Sequence, residues 1–365
     1  MKVGITTVHD SSNLGSYLQA LGMQELVKQH GDQPYIIKTR SGFTTLCLYL
    51  GYNNSKSVRS VKSFVRFSLH AIRHLKQMKE RYQKYQTYKR DWSQYENLVY
   101  VRQTNQIGLD CLLMGSDEIW NVNQPAFQNP LLYGIGIEAK RKCAYAISTG
   151  NATSEKFASF PQLVNAVREM DGILPRDENT RQVMETNGIV VQERICDPTI
   201  QVDIRKYMKS IEEVKLPKED YIAVYSYGLD EKYIQMVRAF AERHRLKTVA
   251  VSLPQGWCDE YINCSPLEFG AVLSKANYVF TSTFHGTIFS ALYHTKFVSL
   301  PAQPKVGDVL KLLRLEDHVL PANADMKLFC DMLEKEYCFN AMEERIKELR
   351  QQSFELYEKY MKQNI

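Results

Sequence analysis

The stretch over residues 278–300, YVFTSTFHGTIFSALYHTKFVSL, constrains what this chain can fold into more than any other. Tyr, Val, Phe and Thr in a run of strand length predict a buried strand over residues 278–283. A sharp turn is expected at Phe284, His285 and Gly286. Ile288, Ala291 and Leu292, at helical spacing, then predict a helix over 287–294, and residues 296–300 return to strand. The product is a β-α-β unit with a histidine at its first βα junction. In open α/β sheets, ligands collect beyond the carboxyl ends of the strands, where the N–H groups of the next helix's first turn favour an anion. His285 sits where both effects meet. The plainer alternative is that His285 caps the turn while Gly286 permits close packing.

At 365 residues the chain exceeds one typical domain, so two are expected. Hydrophobic residues at 44% and charged residues at 24% are ordinary for a globular protein with a full core. No apolar run approaches the ~20 residues that span a bilayer, and residues 1–10 lack the apolar region of a secretory signal. A cytoplasmic setting is therefore expected. Eight cysteines occur without a C-x-x-C pair, and Cys111, Cys143 and Cys196 lie in or beside apolar runs, the pattern of reduced, buried thiols. The net charge of +5 is mild, and no nucleic-acid partner is expected.

The first forty residues read as strand, polar loop, helix and strand. Leu18, Leu21, Gly22, Leu26 and Val27 form the helix's apolar stripe over about 16–30, and Gly31 supplies its stop. This is a Rossmann-like opening without G-x-G-x-x-G, so dinucleotide binding is unsupported. Residues 57–90 hold ten Lys or Arg against the single acid Glu80. Val61, Phe64, Val65, Leu69, Ile72 and Leu75 at helical spacing predict one or two amphipathic helices there. Two accounts stay open: a solvated basic face, or contact with an anionic membrane surface or glycan. His70 and His74 lack the acidic partner of an H-E-x-x-H zinc site, and no metal is expected.

Further strands are predicted over 111–115, 142–148, 172–175, 221–227 and 248–253, with a helix near 231–244. The element GSDEIWN, residues 115–121, places the Ser116 hydroxyl and the Asp117 carboxylate at a strand's carboxyl end, beside Trp120, an aromatic that could flank a sugar ring. LPRDEN, residues 174–179, puts Arg176 before a helix, an unfavourable place for a cation unless an anion is held there. Glu260 and Glu268 have the spacing of a glutamate pair in some nucleotide-sugar transferases. Ser265, Pro266 and Glu268, however, make a capping box that explains Glu268 structurally.

Taken together, these elements resemble the polysaccharide pyruvyl transferase family. TSTFHG is similar to its Ser-Phe-His-Gly or Arg-Leu-His element, GSDEIWN to Gly-Ser-Asp-Gln-x-Trp-Asn, the loop from Asn13 to its Asn-x-Gly-x-x-Leu-Gln, Arg176 to the arginine of a Val-Arg-Glu-like element, and Asp197-Pro198-Thr199 to its Asp-Pro-Thr. The resemblance implies an α/β protein with two Rossmann-like domains facing a cleft, GT-B-like, whose C-terminal helix crosses back. The expected division is 1–205 with a basic helical insert at about 57–102, then 206–335, then a terminal helix over 336–365.

The resemblance also implies transfer of pyruvate from phosphoenolpyruvate, as donor substrate and with no cofactor, to two hydroxyls of a sugar in a polysaccharide or lipid-linked acceptor. The expected site has His285 as acid or base and Asp117 orienting or deprotonating the sugar hydroxyl. Arg176 is the anion clamp, helped by the amides of Gly286 and Thr287, while Asn13 and Ser116 are lesser ligands. Thr283 stands where the Arg-Leu-His branch has its arginine, and Lys305 is the best substitute cation. The rival readings are a nucleotide-sugar glycosyltransferase of the same fold and a catalytically silent glycan- or lipid-binding relative.

Overall fold

The computed structural model describes residues 1–51, 65, 68, 69, 72, 74–301 and 304–362. Much of the basic segment read above, including Arg59, Val61, Lys62, Phe64, Arg66, Phe67, His70 and Arg73, lies outside the described residues. The chain divides into two compact units, residues 1–202 with 352–365, and residues 203–351.

In the first unit, six parallel strands are ordered β3-β2-β1-β4-β5-β6. They are β1 (Lys2–Thr6), β2 (Gln33–Lys38), β3 (Leu98–Tyr100), β4 (Cys111–Met114), β5 (Arg141–Ile147) and β6 (Gly172–Pro175). The central strands carry apolar residues on both faces because helices cover both, as parallel sheets require; β4, CLLM, is buried throughout. Ile147, Ile173, Val183 and Phe157 anchor one layer of this core, and Ile37, Leu109, Leu112 and Met114 the other. The helix Leu14–Gln29 begins two residues earlier than the expected 16, because the Asn13 side chain caps it by accepting from Gly15 N at 2.9 Å. Gly31, at φ 72°, turns the chain into β2 as anticipated.

The edge strand β3 was not anticipated. It lies inside the segment read as helical, and three residues, LVY, carry too little pattern to announce a strand. The helix Leu75–Asp91 buries Met78, Tyr85 and Tyr88 on one face and carries its lysines and arginines around the rest.

In the second unit, five parallel strands are ordered β11-β10-β7-β8-β9. They are β7 (Tyr221–Tyr225), β8 (Lys247–Val251), β9 (Glu260–Ile262), β10 (Tyr278–Thr281) and β11 (Phe297–Ser299). Ile222, Val224, Phe240, Phe280, Val298 and Phe329 form its core. Read from the far edge, this is the doubly wound order 3-2-1-4-5, and the first sheet has 3-2-1-4-5-6. Each sheet therefore has one switch point, between β1 and β4 and between β7 and β10, where strand order reverses and a crevice opens beyond the carboxyl ends.

The boundary at 351/352 falls inside the long helix Asn340–Met361. Its last turns pack in the first unit, where the Tyr357 hydroxyl donates to Asp32 at 3.2 Å and the Tyr360 hydroxyl to Glu193 at 2.6 Å. Among the described residues, no helix is long and apolar enough to cross a membrane.

Candidate functional site

The two residues expected to carry the chemistry each sit at the switch point of their own sheet. In the second unit, β10 ends at Thr281 and the next helix spans Phe284–Leu292, not 287–294. The expected turn at Phe284, His285 and Gly286 is in fact the helix's first turn. Thr283 is responsible: its hydroxyl caps the helix by accepting from Gly286 N at 3.0 Å, which recruits those three residues into helix. His285 is thereby fixed on a rigid element, with 8% of its surface exposed. Beside it, the Ser226 and Ser282 hydroxyls, from the ends of β7 and β10, are 2.5 Å apart across the switch point.

Gly286 is required sterically. A Cβ there would lie 2.2 Å from Thr281 Oγ1, 2.6 Å from Thr283 Oγ1 and 2.8 Å from Tyr225 Cδ1. The helix can approach the end of β10 this closely only without a side chain.

The same closeness corrects several expected roles. Gly286 N is engaged by Thr283 Oγ1, and Thr287 N donates to the Thr283 carbonyl at 3.1 Å. These amides are not available to hold an anion. The Thr287 hydroxyl is buried, donating to the Thr283 carbonyl at 2.9 Å and lying 2.7 Å from Ser299 Oγ. Thr283 and Thr287 are thus parts of the junction's frame. Lys305 fares better: its Nζ lies 6.0 Å from the centroid of the Phe284 ring, which also lies 5.1 Å from the His285 ring. The structure therefore brings Lys305 and His285 against one aromatic ring.

In the first unit, the family-like elements converge on the ends of β4, β5 and β6. Asp117 has φ 73°, a left-handed conformation that costs a non-glycine residue of order 1–3 kcal/mol and that clusters at functional sites. Its carboxylate accepts from Ser16 Oγ at 2.7 Å and from Glu118 N at 2.9 Å, so the first turn of the helix Leu14–Gln29 grips it at the switch point. Asn13, the cap of that helix, stands three residues before Ser16. Ser116 has a structural role instead, because it is fully buried and its hydroxyl donates to the Ala146 carbonyl at 3.1 Å. Trp120 is corrected likewise. It is buried, donates to the Leu132 carbonyl at 3.1 Å and stacks on Tyr133, so it cannot flank a sugar ring.

Arg176 is buried, and its Nη1 donates to Asp197 Oδ2 at 2.9 Å. Burial alone would lower its pKa, but Asp197, Asp117, Asp177 and Glu118 together hold it above the ordinary value. An anion arriving here would meet a guanidinium already paired with Asp197 and lying in the field of three further carboxylates. The clamp expectation is therefore revised: Arg176 is the counter-ion that binds this acidic cluster together.

Sequence reasoning missed a group beyond β1 and β2. Asp10 is buried, lies 3.3 Å from Arg40 Nε and accepts a hydrogen bond from the Thr45 hydroxyl. Burial would raise the Asp10 carboxyl, yet His9, Arg40 and Thr45 hold it below the ordinary carboxylate range. Burial also pulls the His9 imidazole below its ordinary value, against the opposing charge of Asp10. The available signal was the position of Arg40 just after a predicted strand. Glu268 is structural, as read: it accepts from Ser265 N at 2.9 Å and from Lys209 Nζ at 2.9 Å. Among the described residues, no group of three or more His, Cys, Asp or Glu is placed to hold a metal.

Comparison with known proteins bears on both fold and family. No curated protein sequence matches the chain. Among solved structures, a putative UDP-N-acetylglucosamine 2-epimerase from Listeria monocytogenes aligns at a TM-score of 0.54 and 9% identity, over 100% of this chain and 97% of that one. Another UDP-N-acetylglucosamine 2-epimerase aligns at 0.54 and 11%, over 100% and 98%. At such identities the likeness concerns the fold, which is GT-B-like, with two parallel-sheet α/β domains. The sequence model described as polysaccharide pyruvyl transferase matches residues 13–303, from the Asn13 cap through GSDEIWN and LPRDEN to beyond TSTFHG. With a match over most of its length, the chain belongs to the polysaccharide pyruvyl transferase family.

Proposed function

We propose that the protein transfers pyruvate from phosphoenolpyruvate to two hydroxyls of one sugar, in a polysaccharide or its lipid-linked precursor. The observation that carries this reading is His285, held in the first turn of a helix at a sheet's switch point within the family-matched stretch. The first sugar hydroxyl adds to C2 of the enol while C3 gains a proton. The second hydroxyl then forms the other C2–O bond as the bond from C2 to the phosphate oxygen breaks. Its proton leaves with a base, and the products are a cyclic ketal and phosphate.

His285 supplies the proton to C3, the role of a positioned general acid. Asp117, gripped by Ser16 and Glu118 N, orients the attacking hydroxyl and takes its proton. Lys305 meets the donor's negative charge, and Asn13 is a lesser ligand. Arg176 acts through the acidic cluster instead of touching the donor.

We place the reaction at the cytoplasmic face of an anionic membrane. Val65, Leu69, Ile72 and Leu75 are 49%, 51%, 65% and 67% exposed, at helical spacing, in a segment with ten cations and one acid. An apolar stripe flanked by Lys and Arg suits the interface of such a surface. Release of phosphate from phosphoenolpyruvate that depends on a sugar acceptor tests the reaction.

A further inference from the structure

A cavity of about 780 Å³ opens within the first unit, beyond the carboxyl end of β2. That volume lies in the range of small-molecule sites, roughly 300 to 1,000 Å³. Its walls come from Arg40, from Thr44 on the helix Gly42–Tyr49, from the loop through Ala126 and Asn129, and from Phe160 and Gln162. Asn129 ties the loop to the strand end by donating to the Thr39 carbonyl at 3.1 Å.

Among the described residues that line this cavity, Arg40 is the one charged group, and no acid accompanies it. Asp10 Oδ1 lies 3.3 Å from Arg40 Nε, an ion pair without hydrogen-bond geometry. Arg40 lines the cavity, and among the described residues no hydrogen bond from its guanidinium is found. A guanidinium that lines a cavity with its N–H groups uncommitted can give two parallel hydrogen bonds to a carboxylate or phosphate. The remaining surface is hydroxyl and amide groups interleaved with apolar ones: prolines, Ala126, Leu48, Leu132, Leu163 and one phenyl ring. Those groups suit a sugar, which presents hydroxyls at its rim and C–H bonds on its faces. The cavity is much larger than a bare anion needs, and a single cation is too little for the multiply charged phosphoenolpyruvate.

We propose that this cavity binds a saccharide unit carrying one anionic group, and that Arg40 selects for that charge. The proposal deepens the reading of a saccharide acceptor and rests on it for the word acceptor. Its test reads binding, so it stands or falls separately from pyruvyl transfer.

The experiment is calorimetric titration of the full chain with glucuronate, glucose 1-phosphate, glucose and inorganic phosphate. Both anionic sugars should bind about tenfold or more tightly than glucose, the scale of one hydrogen bond to a charged group. Arg40→Gln should abolish that preference, lowering glucuronate affinity roughly 10- to 100-fold. Ala126→Trp, at an exposed wall position that leaves the Arg40–Asp10 pair untouched, should block the sugars outright, and it carries the test if Arg40→Gln fails to fold. Equal binding of glucose and glucuronate, or unchanged binding in both variants, overturns the proposal. So does inorganic phosphate binding as tightly as glucose 1-phosphate, which would make the site one for bare anions. Displacement of glucuronate by phosphoenolpyruvate would make it a donor site and equally overturn the inference.

Discussion

Arg176 Nη1 lies 2.9 Å from Asp197 Oδ2, with both side chains almost entirely shielded from water. Asp197 also caps the helix Pro198–Gln201, accepting from Thr199 N at 3.0 Å and from the Thr199 hydroxyl at 2.7 Å. Two family-like elements, LPRDEN and Asp-Pro-Thr, are therefore joined by one buried ion pair.

Breaking that pair leaves a buried charge without its partner, which typically costs about 3 to 5 kcal/mol. Arg176→Ala should lower the stability measured by urea denaturation on that scale. A variant as stable as the parent that has lost affinity for phosphoenolpyruvate would restore the anion clamp and remove the structural account.

Gly286→Ala should destabilise the second unit by about 1 to 3 kcal/mol, the usual cost of overpacking. Its added methyl would meet Thr281 Oγ1 and Tyr225 at distances that real side chains do not tolerate. Thermal unfolding of the folded variant reads the loss. An unchanged midpoint would mean that the helix Phe284–Leu292 does not sit this close to β10.

His318 bears on acid stability. It is buried, its Nδ1 lies 2.9 Å from the Phe297 carbonyl oxygen, and its ring stacks between Phe297 and Tyr337. Burial pushes its pKa from 6.5 down to about 4. The native state then binds the proton less readily than the unfolded chain, so the stabilisation is complete above pH ~6.5 and is lost as pH falls toward ~4. His9 and His30, also lowered by burial, add slopes of the same sign. His318→Asn should flatten the dependence of denaturant midpoint on pH across that window. An identical slope in parent and variant would show that His318 is not buried neutral.

Most strands were legible because they are short apolar runs with a turn behind them, and β6 falls on the expected residues 172–175, whereas the three-residue strands β3 and β9 were not. The order of the strands could only be expected from a family likeness, since parallel pairing leaves no local signal. Misreadings arose where a side chain's partner is distant in sequence. Trp120 looked like a sugar platform until Tyr133 and the Leu132 carbonyl enclosed it. Arg176 looked like a clamp because Asp197, 21 positions on, gave no sign of reaching it. Arg40 was passed over for a related reason: its partner Asp10 lies beyond the end of the neighbouring strand, and parallel pairing alone brings β1 and β2 together.

The exposed apolar positions of the basic segment predict salt-sensitive membrane contact. Sedimentation with vesicles containing acidic phospholipid should be strong at low salt and fall as salt rises, since charges are screened over ~8 to 10 Å at physiological ionic strength. Replacing Leu69 and Ile72 by Ser should weaken it at every salt concentration. Absence of sedimentation at low salt would leave the segment as a solvated basic face.

The central claim is pyruvyl transfer through His285, and the most direct measurement is phosphate release from phosphoenolpyruvate with galactose-, mannose- and N-acetylhexosamine-containing acceptors, with the product followed by mass spectrometry. Phosphate should appear only with an acceptor, because the hydroxyl must be held against C2 for productive chemistry, and the product should gain one carboxylate. His285→Ala should slow release by about 10²- to 10⁴-fold while remaining folded. The account is contradicted if no acceptor yields phosphate while a nucleotide-sugar is consumed, or if the folded His285→Ala protein turns over at the parental rate.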